Sequence, residues 1–239
     1  MDPDDPIPLS NGVWLWPSDP DPSRVHSAVG VVAGTRETAL VDTGNCPGHA
    51  TKICRWAEEM GLPPIGTVIY THHHWDHAFG ACALGAHVVA HRECLDRLRE
   101  EAAKPWNPAA LQAEMTREPR LEPSHRAKLR AIRDWTSFRI VLPRTTFEHG
   151  LSLDLGGLTL ELSHVGGGHA SDSIIVRVPE ARLAFLGDCY YPPPLHLRPP
   201  GAGPDLPLLR SLLRDDCDLY LEGHAPPSTR QQIEEALTT

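Results

Sequence analysis

Apolar positions along this chain keep switching between the spacing of strands and the spacing of helices. Between residues 13 and 41, short β-branched and aliphatic runs alternate with turn residues. Val13–Trp16 comes first, then Val29–Val32, a turn at Gly34, and Ala39–Val41, which runs out on Asp42-Thr43-Gly44. The rest of residues 1–24 carries six prolines and reads as irregular. Pro47 opens a helical stretch reaching about Met60, and Gly61 with Pro63-Pro64 stops it. Val68–Tyr70 is strand-like again and leads directly into Thr71-His72-His73-His74-Trp75-Asp76-His77, with another short strand at His87–Ala90. After a long interruption the strand pattern resumes. Leu151–Leu155 and Leu158–Leu162 flank a Gly156-Gly157 turn, and Ser173–Val178 and Leu183–Leu186 follow. Helices are predicted at Leu208–Leu213 and Ser228–Leu237, around a last strand at Leu219–Leu221. Strands alternating with helices in this way predict a layered α/β protein.

The interruption differs in charge as well as period. Residues 91–148 hold 12 basic and 9 acidic side chains, a net +3 in a chain that is otherwise acidic. Within it, Ser124–Trp135 reads as an amphipathic helix with Ser124 as N-cap and Leu129, Ile132 and Trp135 on one face. A stretch this short and charged cannot hold a core of its own. Residues 1–239 are therefore read as a single domain with a mainly helical insertion at about 91–142.

Composition narrows the function classes. The 239 residues include 22 basic and 31 acidic side chains, a formal charge of −9, and the pI is near 5.8. That balance argues against nucleic acid as a partner, since phosphate contacts need clustered Lys and Arg. The start, MDPDDPIPLS, lacks the basic and apolar segments of an export signal. No run approaches the ~20 apolar residues of a membrane span. Six cysteines without a CxxC pair read as reduced thiols, so the expectation is a cytoplasmic protein acting on a small molecule. Oligomeric state is not legible.

Histidine is abundant, at 14 residues, and it is clustered. His72, His74, Asp76 and His77 fall within six residues just after a strand. On a loop they can fan around one or two metal ions, and imidazole with carboxylate suits zinc in a site that keeps a position open for water. His169, Asp188 and His224 each follow a predicted strand in turn. A single strand-end carboxylate or imidazole is usually a turn former, but three in the same placement behind a four-donor loop form a pattern.

The set His72-x-His74-x-Asp76-His77, His169, Asp188 and His224, with Asp42 in VDTG ahead of it, resembles the metallo-β-lactamase superfamily over roughly residues 11–226. The resemblance implies a four-layered αββα sandwich with its site along one edge of two sheets. It implies that His72, His74 and His169 hold one metal, that Asp76, His77 and His224 hold another, and that Asp188 bridges them. Asp42 is implied to support the site from behind. The implied cofactor is Zn²⁺, two per chain, with Fe or Mn as alternatives. The implied reaction is hydrolysis by a metal-bridging hydroxide, with Asp76 orienting it or taking its proton. His164 falls outside the pattern.

Within that superfamily the expected substrate is a lactone, thioester, ester or lactam. The THHHWDH string resembles glyoxalase II thioesterases, whose glutathione-binding C-terminal domain has no counterpart in the fifteen residues after His224. Tyr191, three residues after Asp188, stands where acyl-homoserine lactonases carry a tyrosine aimed at the substrate carbonyl, so Tyr191 joins Asp76 as a candidate catalytic residue. Trp106, Leu111, Met115 and Trp135 of the insertion are candidates for an apolar acyl pocket. Two alternatives share the motif: a mononuclear iron persulfide dioxygenase, and a phosphodiesterase or nuclease.

Overall fold

The structure is a computed structural model that describes residues 5–238, so the first four residues of the acidic start lie outside the described residues. Among the described residues the strands form two sheets. The first runs in sequence order from β1 (Ile7–Ser10) through β2 (Val13–Trp16), β3 (Val29–Ala33), β4 (Thr38–Val41), β5 (Ile65–Ile69) and β6 (His87–His91) to β7 (Thr145–Phe147). It is antiparallel up to β4 and parallel from β4 to β7. The second places β8 (Gly150–Asp154), β9 (Thr159–His164), β10 (Ile174–Val178), β11 (Leu183–Gly187), β12 (Leu219–Glu222) and β13 (Ser228–Thr229) side by side. All of its pairs are antiparallel except β11 with β12.

Strand alternation decides what each face buries. Val13, Leu15, Val41 and Ile69 of the first sheet point inward and meet Leu160, Leu162, Val176 and Phe185 of the second. The residues between them turn the other way. Trp16, Val31, Leu40 and Val68 pack beneath Ile53 of helix α1 (Pro47–Glu59) and Leu98 of α3 (Arg92–Ala102). Behind the second sheet, Ala184, Leu186 and Tyr220 meet Leu209 of α6 (Leu206–Leu212) and Ile233 of α7 (Arg230–Ala236). Helix, sheet, sheet, helix is the expected αββα order. Packing between the sheets is close at β3, where a Cβ on Gly30 would lie 2.4 Å from the Phe185 ring. Gly30→Ala would therefore overpack the core, at a cost of about 1–3 kcal/mol.

The stretch between β6 and β7 carries α3, α4 (Pro108–Arg117) and α5 (Glu122–Ala131). Helix α5 begins at Glu122 rather than after Ser124, because Pro123 fits the first helical turn, where no backbone N–H is needed. It ends at Ala131, with Ile132 extended, so Trp135 lies beyond it. Leu111 and Met115 are buried, 1% and 6% exposed, as core of this segment. Strands β1, β7 and β13 were not expected from the pattern. Each is two to four residues long, and β1 carries Pro8 at a sheet edge, where the missing donor leaves no ladder bond unmade. No helix among the described residues is long and apolar enough to cross a membrane, and all six cysteines are free thiols.

Candidate metal centre

The parallel strands β4 and β5 end at one edge of the sandwich, and β11 and β12 end there too, so the residues that follow them converge. Asp42 follows β4, and His72 to His77 follow β5 as a loop closed by the single turn α2 (Trp75–Ala78). Asp188 follows β11, and His224 comes two residues after β12. His169 sits in the glycine-rich connection from β9 to β10. Backbone bonds pin the loop. Ser27 Oγ donates to the Asp76 carbonyl at 2.6 Å, and Thr43 Oγ1 to the His77 carbonyl at 2.9 Å. The chain runs so close at Gly223 that a Cβ there would lie 2.1 Å from Asp188 Oδ1 and 2.8 Å from the His77 ring. No other residue fits that position.

Two donor groups result. His72, His74 and His169 form one, and Asp76, His77, Asp188 and His224 form the other. Each takes side chains from both sheets. In the first group His74 Nδ1 lies 2.9 Å from both His72 Nε2 and His169 Nε2. In the second, His224 Nε2 is 2.9 Å from Asp76 Oδ2. Asp188 Oδ2 reaches both groups, at 3.4 Å from His169 Nε2, 3.4 Å from His224 Nε2 and 3.5 Å from His77 Nε2. All seven candidate ligands read from the sequence are thus brought together.

The arrangement fits a cation. His77 Nε2 and Asp188 Oδ1 are buried and find no hydrogen-bond partner in the protein, and buried polar atoms without partners are costly. Facing imidazole nitrogens at 2.9 Å can share at most one proton between each pair. Electrostatics separates the two groups. Burial holds His72 and His74 well below the usual imidazole range and lowers His169, so these rings are neutral at pH 7. Burial also acts on His224, but the hydrogen bonds and charges of Asp188 and Asp76 outweigh it and raise the ring to about 10. At His77, burial is likewise overcome by Asp42, Asp188 and Asp76, which push it well above its ordinary value. Despite their burial, Asp76 and Asp188 stay ionised beside these two rings.

Further polar contacts orient the donors. His77 Nδ1–H donates to Asp42 Oδ2 at 2.7 Å, which leaves Nε2 to face the site. Asp42 also accepts from the Thr71 backbone N–H at 2.7 Å and the Thr71 hydroxyl at 2.8 Å. Its φ of 64° is left-handed, a conformation that Asp tolerates better than most residues. His169 Nδ1–H donates to the Pro192 carbonyl at 3.0 Å. His73 turns away from the donors and bonds the buried Asp172 at 2.7 Å. His164 also stays outside the groups, stacked on His91 at 3.7 Å with Nε2–H donating to the Ser171 carbonyl.

The Tyr191 ring lies 6.3 Å from His169 and 6.5 Å from His224, beside the donors as expected. Its hydroxyl, however, donates to Glu222 Oε2 at 2.8 Å, and Tyr190 donates to the same oxygen. One hydroxyl proton cannot serve Glu222 and a substrate carbonyl at once. Sequence reading passes over Glu222, Thr71 and Asp172 because these residues act through contacts between distant segments. Trp106 and Trp135 do gather near the metal loop, packed with Phe79, Phe138 and Trp75.

Comparison with known proteins agrees with this geometry. A curated relative, the 2,4-dinitroanisole O-demethylase subunit alpha of Nocardioides sp. (strain JS1661), is 27% identical over 214 residues, covering 85% of this chain. The chain spans only 54% of that protein's length. Among solved structures, a metallo-beta-lactamase from Pontibacter korlensis superposes with a TM-score of 0.64 at 17% identity, covering 98% of this chain and 97% of the other. A metallo-beta-lactamase family protein from Thermus thermophilus gives a TM-score of 0.65 at 23% identity, over 97% of this chain and 80% of that one. The family model of the metallo-beta-lactamase superfamily matches residues 23–224, a span that takes in every donor named above. The chain belongs to the metallo-β-lactamase superfamily.

Proposed function

We propose that the chain is a binuclear zinc-dependent hydrolase of a small activated carbonyl compound, a lactone, thioester, ester or lactam. The observation that supports this reading best is Asp188 Oδ2, placed within 3.5 Å of donors from both groups. His72, His74 and His169 would hold one ion, Asp76, His77 and His224 the other, and Asp188 both. The neutral nitrogen-rich first group and the carboxylate-containing second group suit Zn²⁺. Bound ions would supply an activated water at neutral pH and a Lewis acid for the carbonyl oxygen.

The remaining work falls to side chains of this chain. Asp76 is ionised and buried at the face of the second group, so it orients the attacking water and can take its proton. Asp42 fixes the His77 ring, and the Pro192 carbonyl fixes His169. The half-buried Trp75 and Trp106, backed by the buried Phe79 and Phe138, offer an apolar surface for the substrate body. That surface also favours a second reading, in which the substrate is an electron-poor aryl ether such as the compound named in the curated relative.

Elemental analysis of the purified protein should give two zinc ions per chain. A substrate panel of lactones, thioesters, esters, lactams, bis-p-nitrophenyl phosphate and 2,4-dinitroanisole should show turnover of a carbonyl compound or of the ether. One iron per chain with oxygen consumption on a persulfide would replace this reading with the dioxygenase. Turnover confined to the phosphodiester would replace it with the nuclease class.

A further inference from the structure

Helix α5 carries a lysine that the metal centre does not account for. Lys128 is only 6% exposed, a costly position for an ammonium unless opposite charge or full hydrogen bonding compensates it. Nζ donates to Ser124 Oγ, one turn back, at 2.7 Å, and reaches His125 Nδ1 at 3.5 Å. His125 is held by its other nitrogen, with Nε2–H donating to Glu114 Oε2 at 2.8 Å, so Nδ1 is left as an acceptor. Two indoles complete the surroundings, Trp75 with its centroid at 4.8 Å and Trp106 at 6.0 Å. These groups soften the burial but bring no negative charge, and among the described residues Lys128 forms no ion pair. Two of its three N–H groups have protein acceptors.

Its location connects it to the metal centre. Trp75 stands between the candidate ligands His74 and Asp76, and Asp76 exerts the largest carboxylate influence on Lys128. His196, in the proline-rich stretch that follows Asp188, in turn feels the Lys128 charge. The Trp75 contact puts the ammonium beside the metal-binding loop. Beside it the Phe79, Trp106 and Phe138 rings pack edge to face or tilted at 4.8 to 6.2 Å, so the buried Phe79 and Phe138 hold the half-buried Trp106 in place from behind.

The geometry points to an anion subsite here: Lys128 binds a carboxylate carried on a flat, apolar substrate body that lies against Trp75 and Trp106. Lysine suits this role as a compact point charge that accepts a carboxylate from many angles. A single charge among aromatic walls selects an amphiphilic anion over a neutral analogue. The orientation of the substrate, with its scissile group toward the metal-holding residues, rests on the hydrolase reading. The subsite itself does not.

The test uses tryptophan fluorescence of the metal-loaded protein, titrated with benzoate and with benzamide as its neutral counterpart. Lys128→Met keeps the aliphatic stem and removes the charge. It should weaken benzoate binding by roughly tenfold to a hundredfold, leave benzamide binding unchanged, and leave zinc per chain unchanged by elemental analysis. Lys128→Arg should restore most of the benzoate affinity. With an activated ester bearing a carboxylate on its acyl group, Lys128→Met should raise KM and spare kcat, whereas the methyl-capped ester should show no change. Equal weakening of benzoate and benzamide would make Lys128 a packing residue and overturn the subsite. Unchanged benzoate affinity would overturn it as well. If Lys128→Met does not fold, Lys128→Gln carries the same comparison. Benzoate selectivity lost on removing the charge, in a protein that hydrolyses neither ester, would uphold the subsite and refute the hydrolase reading instead.

Discussion

Asp42→Asn separates the orientation of a ligand from its presence. The substitution keeps the shape of the side chain and tolerates the left-handed φ of 64°. The Thr71 backbone N–H, 2.7 Å from Oδ1, is a fixed donor and requires the amide oxygen on its side. The amide NH₂ must then take the place of Oδ2, 2.7 Å from His77 Nδ1. The Thr71 hydroxyl can rotate to accept from it, but the imidazole can accept only by moving its proton to Nε2, the nitrogen that faces the second donor group. Binding a metal through Nε2 would then require the other tautomer, with N–H opposed to N–H at Nδ1. An unsatisfied buried donor costs about 1–3 kcal/mol, so affinity for the second ion should fall roughly tenfold to a hundredfold. Competition titrations against a chromophoric chelator would read the two affinities. The first ion should bind as in wild type. An Asp42→Asn protein that holds its second ion with wild-type affinity would refute the assignment of Asp42 as the residue that sets the His77 tautomer.

Further outcomes follow from the same geometry. Asp76→Ala should abolish turnover and lower the second metal occupancy while the circular-dichroism spectrum stays that of wild type; full activity would contradict its role. Tyr191→Phe should lower the melting temperature, because a hydroxyl bond to the Glu222 carboxylate is lost, and should change kcat less than about tenfold; a tenfold fall in kcat at unchanged melting temperature would instead make the hydroxyl a donor to the substrate carbonyl. His164→Ala should retain both metals and lose roughly 1 kcal/mol of stability with its stacking and carbonyl bond, as read by denaturant titration. In chelated protein, His77 and His224 have raised pKa values, so the stability they confer is fully present below about pH 6.5 and is lost as pH rises towards about 10 at His224. The melting temperature of the chelated protein should therefore fall over that window, and that of the metal-loaded protein should not.

The strands are legible where β-branched and aliphatic residues run between turn formers, as in Val29–Val32 and Leu183–Leu186. The short edge strands are not, because β1, β7 and β13 gain their place by pairing rather than by pattern. Helix α5 starts two residues ahead of its predicted cap because Pro123 lies within the first turn instead of before it. The metal donors are visible because each sits where its strand runs out, and parallel pairing brings such ends together. What they lean on is much less visible. Asp42 stands out in the sequence, but Thr71, Asp172 and Glu222 hold their partners across separations of up to 99 residues, and no local spacing encodes that. Lys128 gives no signal either, since a lysine on a charged helix reads as solvated until the fold closes two indoles around it.

Because His72, His74, Asp76 and His77 come from one sheet and His169, Asp188 and His224 from the other, any ion held here stitches the sandwich along its open seam. The apolar interface between the sheets resists separation but offers little resistance to small sliding, since aliphatic side chains grip without direction. Coordination is directional, and under the binuclear reading two ions spaced along that seam would act like paired rivets, removing both the sliding and the rotation that a single pin would leave. Catalytic alignment and mechanical rigidity would then reside in the same seven side chains. Loss of the ions should loosen the whole edge of the molecule at once rather than empty a pocket in an otherwise unaltered frame.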